Sequence, residues 1–295
     1  MVSVSKKIIK GEEYYYLNHS RRVKDRVEKK ELYLGKQIPE NIEELKRKFI
    51  LEIYKEKWFG LFDKIRKNYA QETKVTPLSA QEKEREDFAV RFTYNTQRIE
   101  GSKLSLRDTA NLLERGITPK DKPVRDIKEA EAHKKLFYEM LDYKKDLTLQ
   151  IVLYWNKKLL ENTKPDMAGR IREHQVKISR SRFLPPFPAE LQPLLREFFE
   201  WYGKSRNKLN PVELAALVHL KFVTIHPFGD GNGRISRMMM NFILNKNKLP
   251  MLDITYEKRN SYYNALERAQ IKKDKGIFLQ WFFRKYLDSN RGYLR

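Results

Sequence analysis

The residues most suited to chemistry lie in one short run, His226-Pro227-Phe228-Gly229-Asp230-Gly231-Asn232-Gly233-Arg234, with Arg237 one turn beyond. Gly231 and Gly233 lack side chains, so backbone N–H groups can come close to a ligand. They stand where a helical pattern resumes, and the free N–H groups and dipole of a helix start favour anions. Asn232 adds an amide donor between them. Arg234 and Arg237, at i and i+3, share one face of the first turns and can fork onto phosphate oxygens. Asp230 supplies a carboxylate of the kind that holds Mg²⁺ brought in by a triphosphate. His226 is a general base beside all of these groups. Pro227 and Phe228 fix the loop, with Phe228 as its anchor in the core. An anion cradle, a metal ligand and a base together describe phosphoryl or nucleotidyl transfer. Each part alone has a plainer reading as a turn, a solvated helix face or a structural histidine, and His219 on the preceding helix is read as structural. The run taken together outweighs those readings.

Two helices must hold this loop. Residues 210–225 are apolar on every side, which implies a buried helix. Residues 234–246 resume the helical pattern behind the loop. Further helices are predicted at 79–100, 105–115, 123–144, 147–161, 187–204, 255–272 and 275–288. The stretch Gln175–Phe183 alternates polar and apolar residues and ends at Pro185-Pro186, which predicts a short exposed hairpin. Upstream, residues 7–35 read as another hairpin. A helix follows from Pro39 to about Tyr69, interrupted at Gly60. The predicted fold is mainly α: a helical bundle with a small β-flap, comprising residues 76–295, plus an accessory region of hairpin and helix in residues 1–75.

The run from His226 to Arg237 resembles the signature of the Fic family, His-Pro-Phe-x-[Asp/Glu]-Gly-Asn-Gly-Arg-x-x-Arg, with every fixed position present. A match of that length is far more specific than a lone glycine-rich loop. The resemblance implies a protein adenylyltransferase that uses ATP and Mg²⁺. His226 would deprotonate a Ser, Thr or Tyr hydroxyl of a target protein, and that oxygen would attack the α-phosphorus of ATP. Asp230 would hold Mg²⁺, and Asn232 with the Gly231 and Gly233 backbone would hold the α-phosphate. Arg234 and Arg237 would take the β- and γ-phosphates. Tyr262, Tyr263 and Gln270 match a helix that lines the adenine pocket in relatives. The flap, Ile178, Ser179, Arg180, Ser181, Arg182 and Phe183, would clamp the target by strand addition. Relatives often form homodimers.

Many members also resemble one another in an inhibitory motif, [Ser/Thr]-x-x-x-Glu-[Gly/Asn]. Glu precedes Gly or Asn only at Glu40, Glu100 and Glu161, and only Glu100 has Ser or Thr four residues earlier. The match is Thr96-Gln97-Arg98-Ile99-Glu100-Gly101. Gly101 suits a helix C-cap, so Glu100 occupies a last turn where the dipole disfavours its charge. A salt bridge from Glu100 to Arg237 would give that placement a purpose. The motif lies upstream of the signature in the same chain, as in the intramolecularly inhibited class. Other chemistries of the family remain as alternatives, namely AMP removal or transfer of phosphate or UMP.

Composition sets the remaining bounds. Among 295 residues, 40% are hydrophobic and 12% aromatic, enough for a core. No cysteine is present, which excludes disulfides, thiolate metal sites and thiol catalysis. No apolar run is long enough to span a bilayer, and Met1–Lys10 lacks the apolar stretch of a signal peptide, so a cytoplasmic protein is expected. The net charge of +22 raises a non-enzymatic reading, a basic helical protein that binds nucleic acid. The basic residues are spread along the whole chain, which favours a solvated surface suited to ATP and acidic partners.

Overall fold

The computed structural model describes residues 2–23, 26–179 and 181–295. Its contacts divide the chain into two compact units, Met1–Leu61 and Phe62–Arg295. The division falls inside a helix, whereas the sequence suggested one at residue 75.

The first unit opens with three antiparallel strands in the order β1 (Val2–Ile9), β2 (Glu12–Val23) and β3 (Arg26–Gly35). The expected hairpin is therefore a meander with one more strand. Lys10 and Gly11 both adopt positive φ and turn β1 into β2. The helix α1 (Ile42–Val75) follows and runs through Gly60 without interruption. A helical glycine costs about 1 kcal/mol, and Trp58 and Phe62 on either side of it are both buried.

The second unit is helical: α2 (Leu78–Ile99), α3 (Leu106–Arg115), α4 (Val124–Asp142), α5 (Leu149–Leu160), α6 (Pro188–Ser205), α7 (Pro211–Ile225), α8 (Asn232–Lys246), α9 (Arg259–Ile271) and α10 (Lys275–Ser289). The central pair is α7 and α8. Pro211 begins α7, and Asn210 caps it by accepting from the Val212 N–H at 3.0 Å. Val212, Ala215, Ala216, Val218 and Phe222 are fully buried, as are Met238, Met239 and Met240 of α8. α8 packs against α2, α4, α5 and α7, while α6 and α10 cover the other side of α7. The signature loop is thus the connection between the two innermost helices. Among the described residues, no helix is long and apolar enough to cross a membrane.

The segment 175–183 forms no strand pairing among the described residues, so the expected β-flap is an extended loop. Its neighbourhood spends backbone acceptors on side chains instead. Arg172 donates to the carbonyls of His174 and Pro186, and Gln175 donates to that of Pro185. Pro185 and Pro186 also lack N–H donors for a ladder. Ile178 accepts a turn bond from the Ser181 N–H at 3.1 Å, Ser179 is exposed in that turn, and the Phe183 N–H donates to Ser181 Oγ. The Arg182 N–H donates to Glu267 of α9 at 2.7 Å, which tethers the segment to that helix. Arg180 lies outside the described residues.

The capping box at α3 provides a check on the helical unit. Ser105 Oγ accepts from the Asp108 N–H, and Asp108 accepts from the Ser105 N–H. Ser105→Ala removes about 1 kcal/mol, so thermal unfolding should show Tm lowered by about 2–4 °C. An unchanged Tm would contradict the cap.

Candidate active site

His226 ends α7 in the left-handed conformation, φ 53° and ψ 55°. For a residue with a Cβ this costs roughly 1–2 kcal/mol, and neighbouring contacts hold it there. The His226 N–H donates to the Phe222 carbonyl at 3.0 Å. Arg172 Nε donates to the His226 carbonyl at 2.9 Å, and the Arg172 N–H donates to the Pro227 carbonyl at 2.9 Å. Arg172 is almost fully buried, and its remaining donors reach the flap segment. One side chain therefore ties the residues after α5 to the start of the signature loop.

The His226 Nδ1 lies 3.1 Å from the Val223 carbonyl. A carbonyl only accepts, so Nδ1 carries the proton and the neutral ring keeps its lone pair on Nε2. Burial pulls the imidazole pKa below its usual 6.5, while the Val223 carbonyl and Glu100 partly restore it. The ring is neutral at physiological pH and able to accept a proton.

Phe228 is buried and anchors the loop as expected. Asn232 has a different position from the expected one. Its Oδ1 accepts from the Phe228 N–H at 2.9 Å, and its Nδ2 donates to the Phe228 carbonyl at 2.8 Å. The side chain closes the loop on itself rather than facing outward, and it is buried. Gly231, at φ 85°, caps α8, and a Cβ there would stand 2.9 Å from Asn156 Nδ2. Asn156 of α5 itself donates to the Asp230 carbonyl at 3.0 Å and accepts from the Gly169 N–H. Gly231 is therefore required both for its φ and for that close approach.

Both arginines are held by carboxylates, and the expected pair of Glu100 with Arg237 is present. Arg234 is buried and pairs with Glu129 of α4, with Asp230 at 3.0 Å and with Gln97 Oε1 at 3.2 Å. Asp230 carries a second cation, Lys164, from the segment after α5. Burial pushes the Asp230 carboxyl upward, but Arg234 and Lys164 outweigh it and hold the group below its ordinary range.

Arg237 is buried to 1% exposure. Its Nε donates to Thr96 Oγ1 at 2.7 Å, and one terminal nitrogen reaches the Thr96 carbonyl at 3.3 Å. That nitrogen also meets Glu100 Oε1 at 2.6 Å, and the other donates to the Tyr262 hydroxyl at 3.2 Å. Thr96 and Glu100, four residues apart, present both contacts from one face of α2. Gly101, at φ 100°, ends the helix and Ser102 N–H closes back onto the Gln97 carbonyl. A Cβ on Gly233 would collide with Glu100 Oε1, so the missing side chain is what admits the glutamate.

Tyr262 stands behind Arg237. It is buried, and its hydroxyl donates to His219 Nε2 at 3.0 Å. Burial and Glu100 raise its pKa, Arg237 opposes them, and the result is about 12. Tyr263 is partly exposed and donates to the Ile99 carbonyl at 2.7 Å, next to Glu100. Gln270 donates to Thr224 Oγ1 and lines a cavity of about 470 Å³ with Trp201, Lys221, Thr224, Ile225 and Ala269. The structure thus gathers His226, Asp230, Gly231, Gly233, Arg234, Arg237, Thr96, Glu100 and Tyr262 around the loop, and gives Gln270 a separate cavity wall.

Residues 146–244 match the model of the Fic/DOC family. Residues 146–244 are a Fic domain. It is 33% identical over 186 residues to protein adenylyltransferase fic-1 of Caenorhabditis elegans, which covers 61% of this chain and 36% of the relative. Protein adenylyltransferase Fic of Nematostella vectensis is 33% identical over 181 residues, covering 60% of this chain and 42% of the relative. The chain thus spans well under half the length of these curated relatives. Among solved structures, a Fic-domain signalling protein of Bacteroides thetaiotaomicron superposes with TM-score 0.67 at 26% identity, over 78% of this chain and 95% of that one. A fragment of Fic-1 from C. elegans superposes with TM-score 0.69 at 25% identity, over 83% and 72%.

The signature loop depends on residues that the sequence did not single out: Arg172, Asn156, Lys164 and Glu129. Arg172 and Lys164 are lost among 61 basic residues, and no spacing marks them. Glu129 did leave a signal. Asp126, Glu129 and His133 are spaced three and four apart on α4 and all are buried, so they form a polar stripe on an inward face.

The electrostatics of His226 can be measured directly. In an NMR titration its imidazole should titrate below pH 6.5, and Glu100→Gln should move the midpoint lower still, since Glu100 favours the charged ring. A midpoint above 6.5 would contradict the dominance of burial.

Proposed function

We propose that this Fic protein is a protein adenylyltransferase that transfers AMP from ATP to a Ser, Thr or Tyr hydroxyl of a target protein, and that Glu100 holds it inhibited. The observation that carries this reading is the pairing of a neutral His226, protonated on Nδ1, with an Arg237 already occupied by Glu100. The adenylyltransferase names of the similar proteins support the reaction class.

In this reading His226 Nε2 takes the proton of the incoming hydroxyl as the oxygen attacks the α-phosphorus, and pyrophosphate leaves. The Gly231 and Gly233 backbone, at the start of α8, faces the phosphate on which charge builds. The Phe228 bonds leave Asn232 the task of shaping that backbone. Arg234 stays paired with Glu129 and orients Asp230. Arg237 is the arginine freed for phosphate once Glu100 withdraws.

The residues present fit Mg²⁺ held with a nucleotide. Among the described residues no cluster of three or more His, Asp or Glu forms a metal cage. Mg²⁺ bound alongside phosphates needs only one or two protein carboxylates. Asp230 would be that carboxylate, and Lys164, with 30% of its side chain exposed, can turn away into solvent. When bound, Mg²⁺ neutralises phosphate charge.

Incubation with ATP labelled at the α-phosphate tests the reading. Protein-bound label should rise in Glu100→Gly over wild type and fall by at least about 100-fold in His226→Ala. Label arriving from the γ-phosphate instead would replace AMP transfer with phosphate transfer.

Arg172 gives a second test, in the Glu100→Gly background. It touches His226 only through the backbone and acts as a positioning residue. Arg172→Ala should lower kcat by about 10²-fold while the KM for ATP stays near its starting value. A rise in KM with kcat unchanged would place Arg172 in nucleotide binding.

A further inference from the structure

Both oxygens of the Asp230 carboxylate are engaged. Oδ1 accepts from Arg234 at 3.0 Å and from the Gly231 N–H, and Oδ2 accepts from Lys164. A cation that binds Asp230 must therefore displace one of these donors. Arg234 is fixed, since its side chain is 2% exposed and also donates to Glu129 and Gln97. The Gly231 N–H belongs to the backbone that caps α8. Lys164 is the exchangeable partner, with 30% of its side chain open to solvent.

The backbone of Lys164 is tied down although its ammonium is not. Its N–H donates to the Leu160 carbonyl at the end of α5 at 2.8 Å. Its own carbonyl accepts from the Met167 and Ala168 N–H groups at 3.1 and 3.0 Å. Thr163, one residue earlier, donates from Oγ1 to Glu129 at 3.1 Å. Two consecutive residues thus reach the two carboxylates that pair with Arg234. The ion-paired groups around the loop are balanced in charge: Asp230, Glu129 and Glu100 are matched by Lys164, Arg234 and Arg237. This balance leaves no room for a divalent cation by itself, because surplus positive charge in a partly buried site is costly. It does leave room for one that comes with a triphosphate, whose negative charge makes up the difference.

We propose that Lys164 is a resident counter-ion that holds the metal's place on Asp230 and yields it to Mg²⁺ that enters with nucleotide. The proposal rests on the reading of Asp230 as the carboxylate that meets Mg²⁺. Lys164 is a positioning residue: it keeps Asp230 ionised and oriented before nucleotide arrives, and it sets the Mg²⁺ concentration at which nucleotide is accepted. No covalent bond changes in the exchange, which replaces one charge-assisted contact on Oδ2 by another.

Equilibrium binding of a fluorescent, non-hydrolysable ATP analogue, titrated with Mg²⁺, tests the proposal without turnover. Glu100→Gly serves as the parent protein, so that Arg237 is free. Adding Lys164→Met should lower the Mg²⁺ concentration for half-maximal binding by about tenfold, the scale of one partly buried charge pair. Adding Lys164→Arg instead, which keeps the charge, should leave the midpoint near that of the parent. With Asp230→Asn also present, Lys164→Met should no longer move the midpoint. A midpoint unmoved by Lys164→Met, while binding still depends on Mg²⁺, would overturn this proposal alone, and a lowered melting temperature beside it would make Lys164 a structural tether. Binding indifferent to Mg²⁺ in the parent would overturn the metal reading of Asp230 and the proposal with it.

Discussion

A guanidinium can be buried in a helical core only where carbonyls, hydroxyls or carboxylates take up its donors. Arg237 meets that condition through Thr96, Tyr262 and Glu100. Thr96 and Tyr262 are buried, whereas Glu100 keeps about a third of its side chain exposed. The fixed partners orient Arg237, and the exchangeable one decides whether its charge is already satisfied. A phosphate and the Glu100 carboxylate are chemically similar ligands for the same nitrogen. The proposed inhibition requires no further element: α2 ends at Glu100, Gly101 turns the chain away at positive φ, and Gly233 leaves the space that the carboxylate occupies.

The same economy governs the base. His226 is held in an unfavourable backbone conformation at the end of a buried helix, and the loop beyond it is closed by Asn232 and Arg172. The Val223 carbonyl fixes the tautomer as well, because it accepts a hydrogen bond from the His226 Nδ1–H. Desolvation keeps the ring neutral. Asp230 is treated in the opposite way: two cations hold it ionised despite burial. A neutral base and a charged carboxylate within one loop are what nucleotide transfer near neutral pH needs.

The helical architecture was legible because long 3.6-residue patterns and proline or glycine stops survive in the sequence, as at Pro211 and Gly101. The signature residues were legible because their types and spacing are rare in combination. Their individual tasks were less so. Asn232 and Arg234 carry groups that suit phosphate, but a side chain's direction depends on tertiary partners, and Phe228 and Glu129 turned them inward. The segment 175–183 has an alternating pattern yet forms no ladder, since Arg172 and Gln175 occupy the carbonyls around it. Tyr262 and Gln270, two turns apart on α9, separate into the core behind Arg237 and a cavity wall. The pair of Glu100 with Arg237 was expected by resemblance, whereas the bond from Arg237 to Thr96 was not expected, and the spacing of four that sets Thr96 beside Glu100 supplies its physical basis.

The central claim is that Glu100 and the nucleotide compete for Arg237. Crystal structures of wild type and Glu100→Gly, each with a non-hydrolysable ATP analogue and Mg²⁺, test it most directly. The account predicts that Arg237 remains on Glu100 in wild type and meets the terminal phosphate in the variant, with Thr96 and Tyr262 still in contact. An Arg237 that meets the terminal phosphate equally in both proteins would contradict it.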